Sequence, residues 1–223
     1  MTVKLEWATP DIDKKIGYIA RVSNPSNQSN ENIQGLIKYM ITNGHVSPFE
    51  MANACFEIKT TRDIARQILR HRSFSFQEFS QRYADVTQLG ELEFKQCRLQ
   101  DTKNRQNSIP VDVKNNDKHR WLAYSWERQQ QLVQDAVTTA YTWALENGIA
   151  KEQARAVLPE GMTSSTLYMN GTLRSWIHYL KQRLDPSTQL EHQQLAKEIL
   201  QELYQIAPIT IGACLSDYIH NNN

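Results

Sequence analysis

The chain opens on an alternation of apolar and polar positions, with Val3, Leu5 and Trp7 set between polar neighbours. A period of two predicts a half-buried strand. The spacing then lengthens to three and four over Asp11 to Val22 and over Asn32 to Asn43, which predicts two helices, the second stopped by Asn43-Gly44. Alternation returns where Ala52, Ala54, Phe56 and Ile58 interleave with Asn53, Cys55 and Glu57, giving a second strand. Over Thr61 to Arg72, Ile64, Ala65, Ile68 and Leu69 recur at helical spacing and leave Arg62, Arg66, Gln67, Arg70 and His71 for another surface. On such a helix Gln67 and Arg70, three apart, share a face.

Gln88 to Lys118 is polar and lacks a period, so it reads as an excursion with a short strand near Glu93 to Cys97. Trp121 to Glu146 carries a long helical pattern through Trp126, Leu132, Val133, Ala136, Val137, Ala140, Tyr141 and Ala144. It is expected to be the main core helix, capped by Asn147-Gly148. Lys151 to Leu158 predicts a short helix ended by Pro159, and the β-branched and aromatic run Thr163 to Met169 a strand. A turn at Asn170-Gly171 then leads into a helix from Leu173 to Arg183, and Asp185-Pro186-Ser187 separates that helix from a last one reaching about Tyr204. With few strands scattered among many helices, the fold class is α+β: a helix-rich single domain over residues 1–223 with a small mixed or antiparallel sheet.

A chain of 223 residues can bury one sizeable core, and 40% hydrophobic with 22% charged residues excludes wholesale disorder. The 25 lysines and arginines nearly balance 24 acids, so the global field draws in neither nucleic acid nor a membrane surface. Anion binding must therefore be local. Cys55, Cys97 and Cys214 are odd in number and form no CxxC pair, which argues against a disulfide framework, against a zinc cluster or other metal site, and for a reducing cytoplasm. Neither a leader-like head nor a run of about eighteen apolar residues is present, so a cytoplasmic, membrane-free protein is expected.

Chemistry concentrates between Arg70 and Tyr83, where Arg70, His71 and Arg72 are followed by Ser73, Ser75, Glu78, Ser80, Gln81 and Arg82. Guanidinium forks hold phosphate oxygens bidentately, and hydroxyls and loop amides can serve the remaining acceptors. The segment thus fits a phosphorylated ligand. Two other readings stand beside this one: a plain solvated basic helix face, and a platform for single-stranded nucleic acid in which Phe74, Phe76 and Phe79 stack bases. The near-zero net charge weighs against the platform.

Arg70-His71-Arg72, seven further residues and Ser80 resemble the signature of the flavin-dependent thymidylate synthases. Ser75, Glu78, Arg82 and Tyr83 fit the longer form of that signature, and His45 to Glu50 is similar to the family's His-x-x-Pro-Phe-Glu element. Ala154-Arg155 with Leu158-Pro159, then Arg174-Ser175, then Arg183 to Pro186 with Gln189 and Glu191, resemble its later blocks in the same order. The resemblance implies a homotetramer that shares its sites between chains and methylates dUMP. In the implied reaction the carbon comes from the folate methylenetetrahydrofolate, FAD carries the hydride and relays the methylene, and NADPH is the reductant. It further implies dUMP contacts from Gln67, Arg70, Glu78, Phe79, Ser80, Gln81, Arg82, Arg155 and Arg183. FAD contacts are implied from Ser47, Arg70, His71, Arg72, Glu78, Thr172, Leu173, Arg174 and His178. The chain departs from the pattern at Met51, at Ser187-Thr188, and at Thr172 and His178.

Carbon transfer to uracil C5 needs extra electron density on the ring, from a cysteine adding at C6 or from charge that stabilises a pyrimidine anion. Cys97 precedes Arg98 but lies in the aperiodic excursion outside the motifs, and Cys55 and Cys214 read as small buried hydrophobes. The charge-stabilising route is expected, with Arg183 as the catalytic cation. Ser80 has no His or Lys base at an activating spacing and is expected to bind rather than attack.

Overall fold

The computed structural model describes residues 1–220. Strand β1 (Thr2–Ala8), helices α1 (Ile12–Ala20) and α2 (Gln34–Thr42) and strand β2 (Asn53–Thr61) follow the predicted order. Gly44 takes φ 68°, the left-handed turn that ends α2 as Asn43-Gly44 foretells. After α3 (Arg62–Ile68) come β3 (Ser75–Glu78), the antiparallel pair β4 (Arg98–Gln100) and β5 (Ser108–Pro110), α4 (Asp117–Glu146) and α5 (Lys151–Ala154). The chain closes through β6 (Ser164–Thr172), α6 (Leu173–Arg183), α7 (Leu190–Ile206) and α8 (Pro208–His220), the last kinked at Leu215. The strands β1, β2, β6 and β3 lie in that order in one sheet.

Four expectations are corrected. The helix expected to reach Arg72 stops at Ile68, and Arg70 to Arg72 lie in a turn where His71 and Phe74 are buried. Burial of those two rings outweighs continued helical spacing. No strand forms at Glu93 to Cys97, because its backbone is used otherwise: Glu93 N–H bonds to Met162 O at 2.8 Å, and the Gln130 side chain takes both Lys95 N–H and Lys95 O. Asn170-Gly171 is no turn but the last part of β6. Helix α4 is real yet is not the main core helix, since it buries only Gln130, Tyr141 and Ala144 and leaves Trp121, Tyr124, Leu132 and Trp143 more than half exposed. An apolar period proves that a face exists, not what covers it.

Residue contacts gather the chain into two compact units, Met1–Ile58, Leu69–Gln77 and the chain from Tyr168 on forming one, Lys59–Ile68 and Glu78–Leu167 the other. In the first unit Ile12, Ile16, Ile37, Phe56, Trp176, Tyr179, Leu180, Leu195, Ile199 and Leu203 are almost wholly buried. Asp13, buried on α1, accepts the backbone N–H of Ile209 at 2.8 Å and of Thr210 at 3.0 Å, so it caps the first turn of α8. The second unit has its own cluster of Val86, Tyr141, Ala144 and Ala154, with Leu145 and Leu158 packed on it.

Gly171 serves close approach within the first unit: a Cβ there would lie 2.4 Å from Phe74 Cδ1 and 2.5 Å from Cε1. Phe74 cannot swing aside, because its ring packs edge-on against Trp176 with centroids 4.6 Å apart. Gly171→Ala is expected to lower stability by about 1–3 kcal/mol through overpacking. A urea midpoint unchanged from wild type would show that the Phe74 pocket is looser than described.

Candidate active site

Arg183 is the last residue of α6, and the sequence places it where its guanidinium meets the buried ring of His71. Its Nε donates to His71 Nε2 at 2.9 Å. The His71 ring stands perpendicular to Tyr179, centroids 4.8 Å apart, and also meets Phe74 edge-on at 6.4 Å. Tyr179 and His192, neither exposed to solvent, share a 3.0 Å hydrogen bond between the phenol oxygen and Nε2. Burial, then the charge of Arg183, holds His71 down at about 4. The same two causes, with His71 added, hold His192 at about 3. Burial pushes the Tyr179 phenol up. It also draws the Arg183 guanidinium below its usual value, with Tyr179 opposing and Arg70 reinforcing, yet an arginine stays charged. Arg70 and Arg72 are exposed.

A polar cavity of about 510 Å³ lies in the same unit, lined by Glu50, Ser73, Thr172, Arg174, Ser175 and His178. Thr172 caps α6 by accepting Ser175 N–H at 3.2 Å, so the cavity meets the positive end of an eleven-residue helix. Arg174 pairs with Glu50, and His178 with Gln182 at 3.0 Å. Ser47 is exposed on the short turn that also carries Glu50. Leu173 is a core residue whose N–H is taken by Ala52 O at 2.8 Å and whose carbonyl opens the α6 hydrogen-bond ladder. This donor set of one guanidinium, hydroxyls and a helix N-terminus fits the pyrophosphate and hydroxyls of a flavin dinucleotide.

The second unit gathers the other predicted residues. Glu78 accepts the Ser165 hydroxyl at 2.8 Å and lies 3.9 Å from Arg62 and 3.6 Å from Arg66, while Glu160 pairs with the same two arginines at 3.1 and 3.5 Å. Arg62 is only 7% exposed while Arg66 and Glu160 are about half exposed, so the network is shielded at its Arg62 end. Phe79 N–H is held by Thr166 O, and Ser80 O accepts from Tyr83 and Ala84. Arg82 reaches Glu152 at 3.4 Å, and Arg155 donates to Glu152 O at 3.3 Å. Gln81 is 4% exposed, and its amide nitrogen has no partner among the described residues. A buried donor left so is costly unless a ligand accepts from it. Gln67 is half-buried on α3.

The structure therefore joins His71 to Arg183, and groups Thr172, Arg174 and His178 around one cavity, in the first unit. In the second it clusters Glu78 with two arginines and Arg82 with Arg155 through Glu152. The sequence reading missed Tyr179 and His192, which carry no motif signal, and Ser73 and Ser175, which lie inside motifs without being singled out. It also missed Arg62, Arg66 and Ser165 as partners of Glu78, and Glu160 as the second acid on the two arginines. Cys55, Cys97 and Cys214 are free, burial pushing Cys55 up and Cys214 up to about 11, so neither is an activated thiol. Among the described residues no cluster of three or more His, Cys, Asp or Glu is placed to hold a metal, and no helix is long and apolar enough to cross a membrane.

An α+β chain with an arginine–glutamate network in one unit and, in the other, a polar cavity at a helix N-terminus has the features of a binder of anionic ligands. Its family is known: the chain belongs to the flavin-dependent thymidylate synthases, as the model described as thymidylate synthase complementing protein matches residues 4–209. It is 49% identical over 185 residues to a probable flavin-dependent thymidylate synthase of Paramecium bursaria Chlorella virus 1, covering 82% of each chain. Against the flavin-dependent thymidylate synthase of Synechocystis sp. it is again 49% identical over 185 residues, covering 81% of this chain and 79% of that one. Among solved structures it matches a UMP/dUMP methylase, PolB from Streptomyces cacaoi bound with 5-Br dUMP, at a TM-score of 0.77 and 26% identity, covering 95% and 93% of the two chains.

His71 and His192 give stability a pH dependence. Both folded values, about 4 and about 3, lie below the unfolded value near 6.5, so the unfolded chain takes up protons first. Their contribution is complete above pH 6.5 and is lost as pH falls towards 4, by up to about 1.4 kcal/mol per pH unit for each proton. His192→Gln is expected to reduce the slope of unfolding free energy between pH 6.5 and 4 by close to one proton. Equal slopes for wild type and variant in urea titrations would mean that His192 is not held neutral.

Proposed function

We propose that the chain makes dTMP from dUMP, with methylenetetrahydrofolate as carbon donor, FAD as hydride carrier and NADPH as reductant, as a homotetramer whose sites draw on more than one subunit. The observation that carries this reading is Arg183, a partly buried cation whose Nε is engaged by a neutral imidazole while its terminal nitrogens have no hydrogen bond among the described residues. A fixed charge of that kind stabilises an anionic uracil ring and raises electron density at C5 without moving a proton. Bound FAD would supply the hydride. Arg174, Ser73, Thr172, Ser175 and His178 would hold it, with Ser47, Arg70 and Arg72 completing the set, while His71, its Nε2 taken by Arg183, and the core residue Leu173 stand behind that set.

For dUMP, the phosphate falls to Arg82, Arg155 and Arg70, and the Gln81 amide nitrogen finds in the ligand the acceptor it lacks. Gln67, Glu78, Phe79 and Ser80 complete that site. Ser80 binds rather than attacks, since among the described residues no His or Lys hydrogen-bonds its hydroxyl. The tetramer is supported by the apolar surface of α4, where Trp121, Tyr124 and Leu132 stand exposed and Trp143 lines a groove of about 650 Å³ with Ala136, Ala140, Ile149 and Val157. The single-domain reading of residues 1–223 is kept as part of the proposal.

In the test, Arg183→Ala is expected to elute at four chain masses by light scattering, to retain FAD and its reduction by NADPH, and to lose about a hundredfold or more of dTMP formation at saturating dUMP. A variant that forms dTMP near the wild-type rate, or a wild-type enzyme active as a monomer, would overturn the corresponding part of the proposal.

A further inference from the structure

An arginine Nε–H can only donate, so the 2.9 Å contact with His71 Nε2 fixes the state of the imidazole: Nε2 must present its lone pair, and the single ring proton resides on Nδ1. We propose that His71 is the positioning residue for Arg183, accepting its Nε–H so that the guanidinium plane is held and its two terminal NH2 groups are left for the substrate ring. This deepens the functional reading above and rests on Arg183 being the cation that the uracil ring meets.

Three observations support the assignment. His71 is 9% exposed and walled by Tyr179 and Phe74, which hold the ring in its own place. Tyr179 is itself tied to buried His192 from α7, so the wall is not free to rotate. The low basicity of His71 keeps it neutral at any working pH, as an acceptor of Nε–H requires. A protonated imidazole would set two cations face to face instead. An arginine on its own has four rotatable side-chain bonds, and holding Nε removes much of that freedom before the substrate arrives.

Two substitutions separate positioning from mere bulk. His71→Gln puts an acceptor oxygen where Nε2 stood, whereas His71→Asn, one methylene shorter, places it near Nδ1 and out of reach of Arg183. The FAD-loaded His71→Gln enzyme is expected to keep kcat within about tenfold of wild type, and His71→Asn to lose about a hundredfold in kcat with the KM for dUMP little changed. Both are expected to retain bound flavin by absorbance. Equal rates in the two variants, or loss of flavin in His71→Asn as the source of its defect, would overturn the proposal. A readout independent of turnover is the 15N spectrum of histidine-labelled wild-type holoenzyme at neutral pH. It is expected to show His71 protonated at Nδ1 only, and a proton on Nε2 would equally overturn it. Should the wild-type protein make no dTMP, the functional reading fails by itself and the spectrum still decides the hydrogen bond.

Discussion

An arginine cannot surrender its proton near neutrality, and much of the first unit is arranged around that fact. For Arg183 to be held by Nε, its partner must offer a lone pair, and an imidazole does so only when uncharged. Burial keeps His71 uncharged, and burial there depends on an aromatic wall of Phe74, Trp176 and Tyr179. Trp176 is fixed in turn by donating Nε1–H to Ala54 O at 3.1 Å. Phe74 can enter the wall because residue 171 has no side chain. A glycine in β6 thus bears on the charge of a histidine and the aim of an arginine.

The second unit commits its cations differently, pairing Arg62, Arg66 and Arg82 with acids. Glu78 and Glu160 both pair with Arg62 and Arg66 at 3.1 to 3.9 Å, and because Arg62 is buried it depends on keeping an acid beside it. That closed network is structural in cost and local in reach. Arg70 and Arg72 in the first unit remain exposed, and Arg155 spends only its Nε on a backbone carbonyl, so these are the guanidinium groups with donors to spare for phosphate oxygens.

Much of this was legible in the sequence, for identifiable reasons. Strands β1 and β2 showed themselves by alternation, and α1, α2 and α6 by their period with Asn-Gly or Asp-Pro punctuation, because local patterning and tertiary burial agree there. Where they disagree, the reading failed. The apolar residues of α4 announced a core helix but lie largely exposed, and Ile64 to Leu69 announced a helix through Arg72 that the burial of His71 and Phe74 cuts short. Helix α8, begun at Pro208 and docked by Asp13 from almost two hundred residues away, has no local mark of its anchor. The candidate site was legible as motifs: Arg70 to Arg82, Arg155, Arg174 and Arg183 stand out by resemblance in order. What holds them was not, because Tyr179, His192, Ser165 and Glu160 act through contacts between distant segments rather than through spacing.

The central claim is that this chain carries carbon and hydride to dUMP through a flavin it binds. It is tested most directly by a single anaerobic turnover: protein loaded with FAD, reduced by one equivalent of dithionite, then mixed with dUMP and methylenetetrahydrofolate. The account requires about one dTMP per reduced flavin, with the oxidised flavin spectrum returning as dTMP appears. Flavin that stays reduced with dUMP unconsumed, or that reoxidises without forming dTMP, would contradict it.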